Sequence, residues 1–414
     1  MNICGKRMYS LLEKLNFERL STFEGEKKAA EILVKEIEEI GLTPVVETFK
    51  APRYTIKTAK LEVTEPFYKE YEVSGYGFAG NDAADGIEAD IVYLEAFEPI
   101  DLVDVKGKIV FVAGGLRPND FKILLDAGVK GAIATSGGFL DTPETADLDR
   151  RMLRPMHIEH GKLPTVCMRM KDAMKMIAAK PEKVKLTLEQ EEGEADSQNV
   201  MVEIPGTEYP DEVIVYTAHY DSVVFSHGMF DNATGTATIL EILRYYHENA
   251  PKRTLRFIWC GSEEQGLLGS KAYVAANEEL MDKIILCQNF YMTGTEIGRH
   301  RLMITANDEL KYFVKFLSKE VGFITKIDED VHSSDSTPFA HKGVPAIGYM
   351  RDGQAGGHSR FDVPWPLSAK RLAEATDFAV KITTRLDRCA ELPFKREICP
   401  AIKEKLENYL HPKD

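Results

Sequence analysis

The stretch VIVYTAHYDSVVFSHGMFDNATG, residues 213–235, sets an unbroken apolar run against a polar turn, and its reading decides the fold. Val213–Ala218 lacks the alternation of a half-buried strand, which is the pattern of a strand covered on both faces. After the turn at Gly228 the apolar spacing becomes helical over residues 232–248. The same sequence of signals then repeats. Leu255–Cys260, Ile284–Phe290 and Val344–Tyr349 read as strands, and Leu267–Asn277, 307–321 and Leu367–Arg388 as helices. Strict alternation of this kind predicts an α/β fold, with a mixed, mainly parallel central sheet flanked by helices. Ligands in such sheets gather at the carboxyl ends of the strands, so functional residues are expected just past each apolar run.

Towards the N-terminus, residues 24–40 place Ala29, Ile32, Leu33, Ile37 and Ile40 at helical spacing. Gly41 follows as a C-cap and Pro44–Phe49 as a strand. Between residues 60 and 192 the texture changes to short β-like runs at Ala59–Val63, Ile87–Tyr93, Lys108–Ala113 and Lys183–Leu188. Two helical segments, Asp120–Leu125 and Lys171–Ala179, interrupt them. The acidic stretch Glu189–Ser197 reads as the linker that closes this region. His157 and His160 within it read as surface residues.

The whole chain has 414 residues, 52 basic against 66 acidic side chains, and a net charge of −14, which argues against nucleic acid or an anionic membrane as partner. No apolar run is long enough to span a bilayer, and the opening MNICGKR has no apolar signal core. Six scattered cysteines without a CxxC pair fit a reduced, cytoplasmic compartment.

The polar residues past the strands converge on one chemistry. His219 emerges from the first strand with Asp221 two residues on, an acceptor suited to fixing the second ring nitrogen of a metal-bound imidazole. Asp231 opens the following helix, either as its N-cap or as a bridge between two cations. Past Leu255–Cys260 come Glu263 and Glu264 in a glycine-flanked turn. Adjacent carboxylates repel unless a cation sits between them or one keeps a proton. A metal resolves this if one ligates and the other acts as general base towards a water. His358 lies in a glycine-rich loop after Val344–Tyr349.

Taken together, AHYDS (218–222), DNATG (231–235), SEEQGLLGS (262–270), DSTPF (335–339) and HSRFD (358–362) resemble the co-catalytic zinc aminopeptidase family, whose relatives include aminopeptidase Y, glutamate carboxypeptidase II and the glutaminyl cyclases. The resemblance implies a discontinuous zinc peptidase domain, residues 1–59 and 193–414, around a β-rich, protease-associated-like domain at 60–192. It implies His219 as ligand of a first zinc, Asp231 as bridge, Glu264 and His358 as ligands of a second, Glu263 as general base, and a peptide as substrate. One position departs from the pattern: Tyr291 stands where the family places an aspartate ligand, in QNFYMTG (288–294). A neutral phenol is a poor zinc ligand beside a carboxylate. The expectation is one firmly held zinc and an empty or weak first site, unless Glu296 or Asp335 substitutes. A glutaminyl cyclase-like acyl transferase with a single zinc, or a non-catalytic binding protein retaining the fold, are the alternative readings.

Overall fold

A computed structural model describes residues 2–81, 83–353 and 355–410. The chain divides into two compact units, Met1–Ala51 with Ala195–Asp414, and Pro52–Glu194.

In the first unit the strands are β1 (Lys183–Ile204, its last part), β2 (Tyr209–His219), β3 (Arg253–Cys260), β4 (Ile284–Phe290), β5 (Arg299–Thr305), β6 (Thr325–Glu329) and β7 (Ala346–Asp352). Their order across the sheet is β6-β5-β7-β4-β2-β3-β1. The four central strands β7, β4, β2 and β3 run parallel, so their carboxyl ends share one edge. Antiparallel pairing joins β5 to β7 and β1 to β3. Helices α1 (Gly5–Lys14), α2 (Glu24–Ile40), α3 (Thr234–Glu248), α4 (Leu268–Ala276), α5 (Asp308–Glu320), α6 (Ser336–His341), α7 (Ala369–Asp387) and α8 (Pro400–Leu410) accompany it. The mixed α/β architecture is the expected one. Its largest core joins α1 and α2 to the sheet and to α3 and α7 through Leu12, Leu33, Tyr216, Ile239, Phe257 and Phe378. Gly41 ends α2 with φ +94°, a left-handed cap that glycine adopts without strain.

The second unit carries a parallel run of strands, Ala83–Leu94, Ile109–Val112, Gly131–Ser136 and Thr165–Arg169, with helices Pro118–Asp126 and Met170–Ala178. It has a core of its own, including Leu61, Tyr76, Ile109, Phe121, Ile133 and Leu186. Glu189–Ser197 is not a linker: it lies inside strand Lys183–Ile204. Glu191 and Asp196 meet Lys57 and Lys50, and Glu189 and Glu191 stay exposed. Gln190 between them is buried and donates to the carbonyls of Tyr76 and Gly80. Alternating burial runs as far as Gln190, and burial returns at Ser197 and Asn199 after the exposed acidic stretch. No helix of the described residues is long and apolar enough to cross a membrane, and all six cysteines are free.

Candidate metal centre

The four central strands bring five of the predicted residues to one point. His219 ends β2, and its backbone carbonyl accepts a 2.8 Å bond from Thr236 Oγ1 on α3. Its Nε2 lies 3.2 Å from Asp231 Oδ1 and 3.9 Å from Glu263 Oε2. His358 approaches from the loop after β7, its Nε2 3.1 Å from Asp231 Oδ2 and 3.2 Å from Glu264 Oε1. Asp231 therefore turns one oxygen to each imidazole. It does not cap α3; it lies in the irregular turn Met229–Ala233 ahead of that helix. Among the described residues, two groups have ligand atoms within 4.8 Å of one another: His219, Glu263 and Glu264, and Asp231, Glu264 and His358.

These charges strongly perturb one another. Burial disfavours the His219 imidazolium, but Glu263, Asp221 and Asp231 outweigh it and carry the pKa well above the usual range. Bonds to Asp231 and Glu264 raise His358 to about 11. Asp231 is held low in spite of its burial by the two histidines. Glu263 is pushed well up by burial, reinforced by Glu264, Asp335 and Asp221 against the opposing pull of His219.

Asp221 has a different place from the one its spacing suggests. Its Oδ1 is 3.4 Å from His219 Nδ1, and that nitrogen has no aligned partner. Both oxygens instead accept backbone N–H groups of the carboxylate turn, from Glu263 at 3.1 Å and Glu264 at 3.2 Å. Ser21 donates to it as well.

The geometry agrees with what sequence comparison finds. Residues 199–383 match the model of peptidase family M28. The chain is 24% identical over 362 residues to mouse carboxypeptidase Q, covering 81% of this chain and 74% of that protein. It is 25% identical over 357 residues to aminopeptidase YwaD of Bacillus subtilis, covering 83% and 75%. In fold it is similar to a zinc aminopeptidase from Bacillus subtilis, with a TM-score of 0.80 at 21% identity over 97% of this chain and 99% of that one.

Tyr291 follows β4 within the matched residues but joins neither group of candidate ligands. Its ring stacks on His332 with centroids 4.9 Å apart, and its phenol is buried without a hydrogen-bond partner. Burial pushes that phenol's pKa up, away from the ionised form a metal would need. The ring lies against Gly348, where an added Cβ would come within 3.0 Å of Cε1. Glu296 and Asp335 also stand outside both groups. Asp335 is buried, which raises its pKa to about 6.

Several residues around the candidate site escaped the sequence reading. Arg19, fully buried, donates to the carbonyls of Leu15, Tyr220, His227 and Gly228, and so ties the N-terminal segment to the turn before Asp231. Asp362 accepts from Phe230 N at 2.6 Å and Asp231 N at 3.1 Å. Glu26 accepts from Ser262 N at 2.9 Å. Glu26 did carry a signal: it falls on the same stripe of α2 as Ala29, Ala30, Leu33 and Ile37, an acid on a buried face.

Proposed function

We propose that the chain is a zinc-dependent exopeptidase, an aminopeptidase that removes N-terminal residues from peptides. The observation that carries this reading is the convergence of Asp231, Glu264 and His358 around one point, with Glu263 beside it. Two carboxylates and an imidazole are a zinc donor set, and the buried Glu264 Oε1, whose 3.2 Å contact with His358 is out of hydrogen-bond alignment, keeps a lone pair that a cation would satisfy. When bound, zinc supplies Lewis acidity that polarises a peptide carbonyl and lowers the pKa of a water. Glu263 takes the proton of the attacking water and returns it to the leaving amine, a role suited to a carboxyl whose proton affinity its surroundings have raised. Asp221 holds Glu263 and Glu264 in place through their backbone N–H groups. The known activities of the similar proteins, carboxypeptidase Q and aminopeptidase YwaD, support exopeptidase chemistry.

One zinc is held firmly, by Asp231, Glu264 and His358. The His219 side lacks a further carboxylate because residue 291 is a tyrosine, whose ring packs against Gly348 and His332. Unit Pro52–Glu194 is a protease-associated-like insertion. The six free cysteines support a cytoplasmic setting.

Turnover of aminoacyl, C-terminal and N-terminal glutaminyl substrates, with and without chelator, tests the reading alongside Glu263→Gln. Chelator-sensitive release of N-terminal amino acids supports it. Ammonia release without hydrolysis points instead to a cyclase-like acyl transferase, which the single Asp–Glu–His set favours as a second reading. Zinc binding with no turnover points to a binding protein. Two tightly held zinc ions per chain would refute the single-metal part.

A further inference from the structure

The turn that carries Glu263 and Glu264 is gripped through three successive backbone N–H groups. Asp221 accepts from two of them, Glu263 and Glu264. The third, Ser262 N–H, donates to Glu26 Oε1 at 2.9 Å. The same oxygen receives the hydroxyls of Ser262 at 3.2 Å and Ser197 at 2.9 Å, and Oε2 receives Thr22 N–H at 2.7 Å. Glu26 is 1% exposed and comes from α2, 236 residues before the turn it grips.

Two features show that this grip is built in rather than incidental. Ser262 has φ +52°, a left-handed conformation that a non-glycine residue keeps only when its surroundings hold it. Gly261 passes so close that an added Cβ would lie 3.0 Å from Glu26 Oε1 and 2.7 Å from Ser197 Oγ. A buried carboxylate beside Asp221 is also expensive to keep, since like charges in a dry site repel. It survives here on four donors.

We propose that Glu26 is a positioning residue for the proposed peptidase site: it fixes Ser262 and thereby aims Glu263 at the attacking water and Glu264 at the metal. The assignment rests on the zinc peptidase reading above. Glu26 touches neither metal nor substrate, and it acts through the backbone of the turn.

The test uses the full-length protein and compares Glu26→Ala, Glu26→Gln and Leu33→Ala. Leu33 is buried on the same helix, away from the turn's hydrogen bonds, and reports what simple destabilisation does. Zinc affinity is read by competition with a chromophoric chelator, and kcat and KM on an aminoacyl substrate. Loss of an outer partner of a metal site costs about 10–100-fold in affinity or rate. Glu26→Ala should lose zinc affinity and kcat on that scale with KM within about twofold, as misaimed groups do. Glu26→Gln should recover most of the loss, because its amide oxygen still accepts from Ser262 and Ser197. Leu33→Ala should melt earlier yet keep wild-type kcat and zinc affinity. Wild-type values in Glu26→Ala, or equal losses in Leu33→Ala, overturn the proposal. If Glu26→Ala does not fold, Glu26→Asp, one methylene too short to reach Ser262, is read by the same criteria. A wild-type protein that binds zinc but turns over nothing sinks the peptidase reading alone, and the zinc-affinity comparison then decides on Glu26.

Discussion

Glu263 and Glu264 are chemically identical neighbours that the fold gives unlike surroundings. Glu264 lies 3.2 Å from His358 and belongs to both candidate ligand groups, whereas the nearest basic partner of Glu263 is His219 at 3.9 Å. Their substitutions should therefore separate. Glu263→Gln should lower kcat by about 10²–10⁴ while zinc content stays at the wild-type value. His358→Ala should weaken zinc by at least about 100-fold, more than outer-partner losses cost. Metal analysis beside turnover decides, and a Glu263→Gln protein that loses its zinc would contradict the division of labour.

The pH response belongs to the same residues. Burial raises Glu26, Asp335 and Asp362 to about 7, 6 and 6. A carboxyl raised in the folded state contributes stability fully below its unfolded pKa, about 4, and loses it as pH climbs through the folded value. His219 and His358, raised by their carboxylate neighbours, lose their contribution only at higher pH still. Asp231 is depressed, and its contribution disappears only under strong acid. Zinc competes with the protons of its ligands, the histidines among them, so the rise in Tm on adding zinc should grow from pH 5.5 to pH 8. A rise that is flat or shrinks across that range would count against the assignment. At Tyr291 the relevant contact is steric. Gly348→Ala should cost about 1–3 kcal/mol in a denaturant melt, because the new methyl meets the tyrosine ring.

Helices and strands were legible where a single period governed them. The runs 213–218, 255–260 and 284–290 lie within β2, β3 and β4, and the apolar spacing of residues 24–40 matches α2. Strand β5 and the edge strand β6 were not read, since each mixes charges such as Arg299, Arg301, Lys326 and Asp328 into its face. The candidate ligands were legible because each stands just past an apolar strand. Arg19, Ser21 and Glu26 were not, because the backbone of Tyr220 and Ser262 and the Asp221 carboxylate that they hold lie about 200 residues or more away, and no local pattern encodes that. Where α3 begins, sequence and packing meet at Gly235: a Cβ there would lie 2.2 Å from Phe290 O and 2.5 Å from Asn232 Oδ1. Asn232 in turn accepts from Met292 N and donates to Phe290 O, linking the Asp231 turn to the end of β4. Gly235→Ala should lower both Tm and zinc affinity, whereas a fall in Tm alone would mean that the turn moves independently of the helix.

On the scale of the whole chain, the two units differ in how they are encoded. Pro52–Glu194 is continuous in sequence and has its own core, so this segment expressed alone should give a cooperative thermal transition by circular dichroism. Residues 195–414 alone lack Arg19, Ser21 and Glu26 together with the α1 and α2 part of the core, and should retain no zinc after gel filtration. Zinc retention by that fragment would show that the N-terminal segment is dispensable to the site.

That dependence has a temporal side. A ribosome delivers Glu26 early, the contiguous unit next, and His358 and Asp362 only after another 160 residues and more. The middle unit can close while the chain is still growing, since domains fold as they emerge. The acidic turns stay apart until the last of their partners has been synthesised. The candidate metal centre, and with it the proposed peptidase site, is therefore absent from a nascent chain until residues 358–362 have been made.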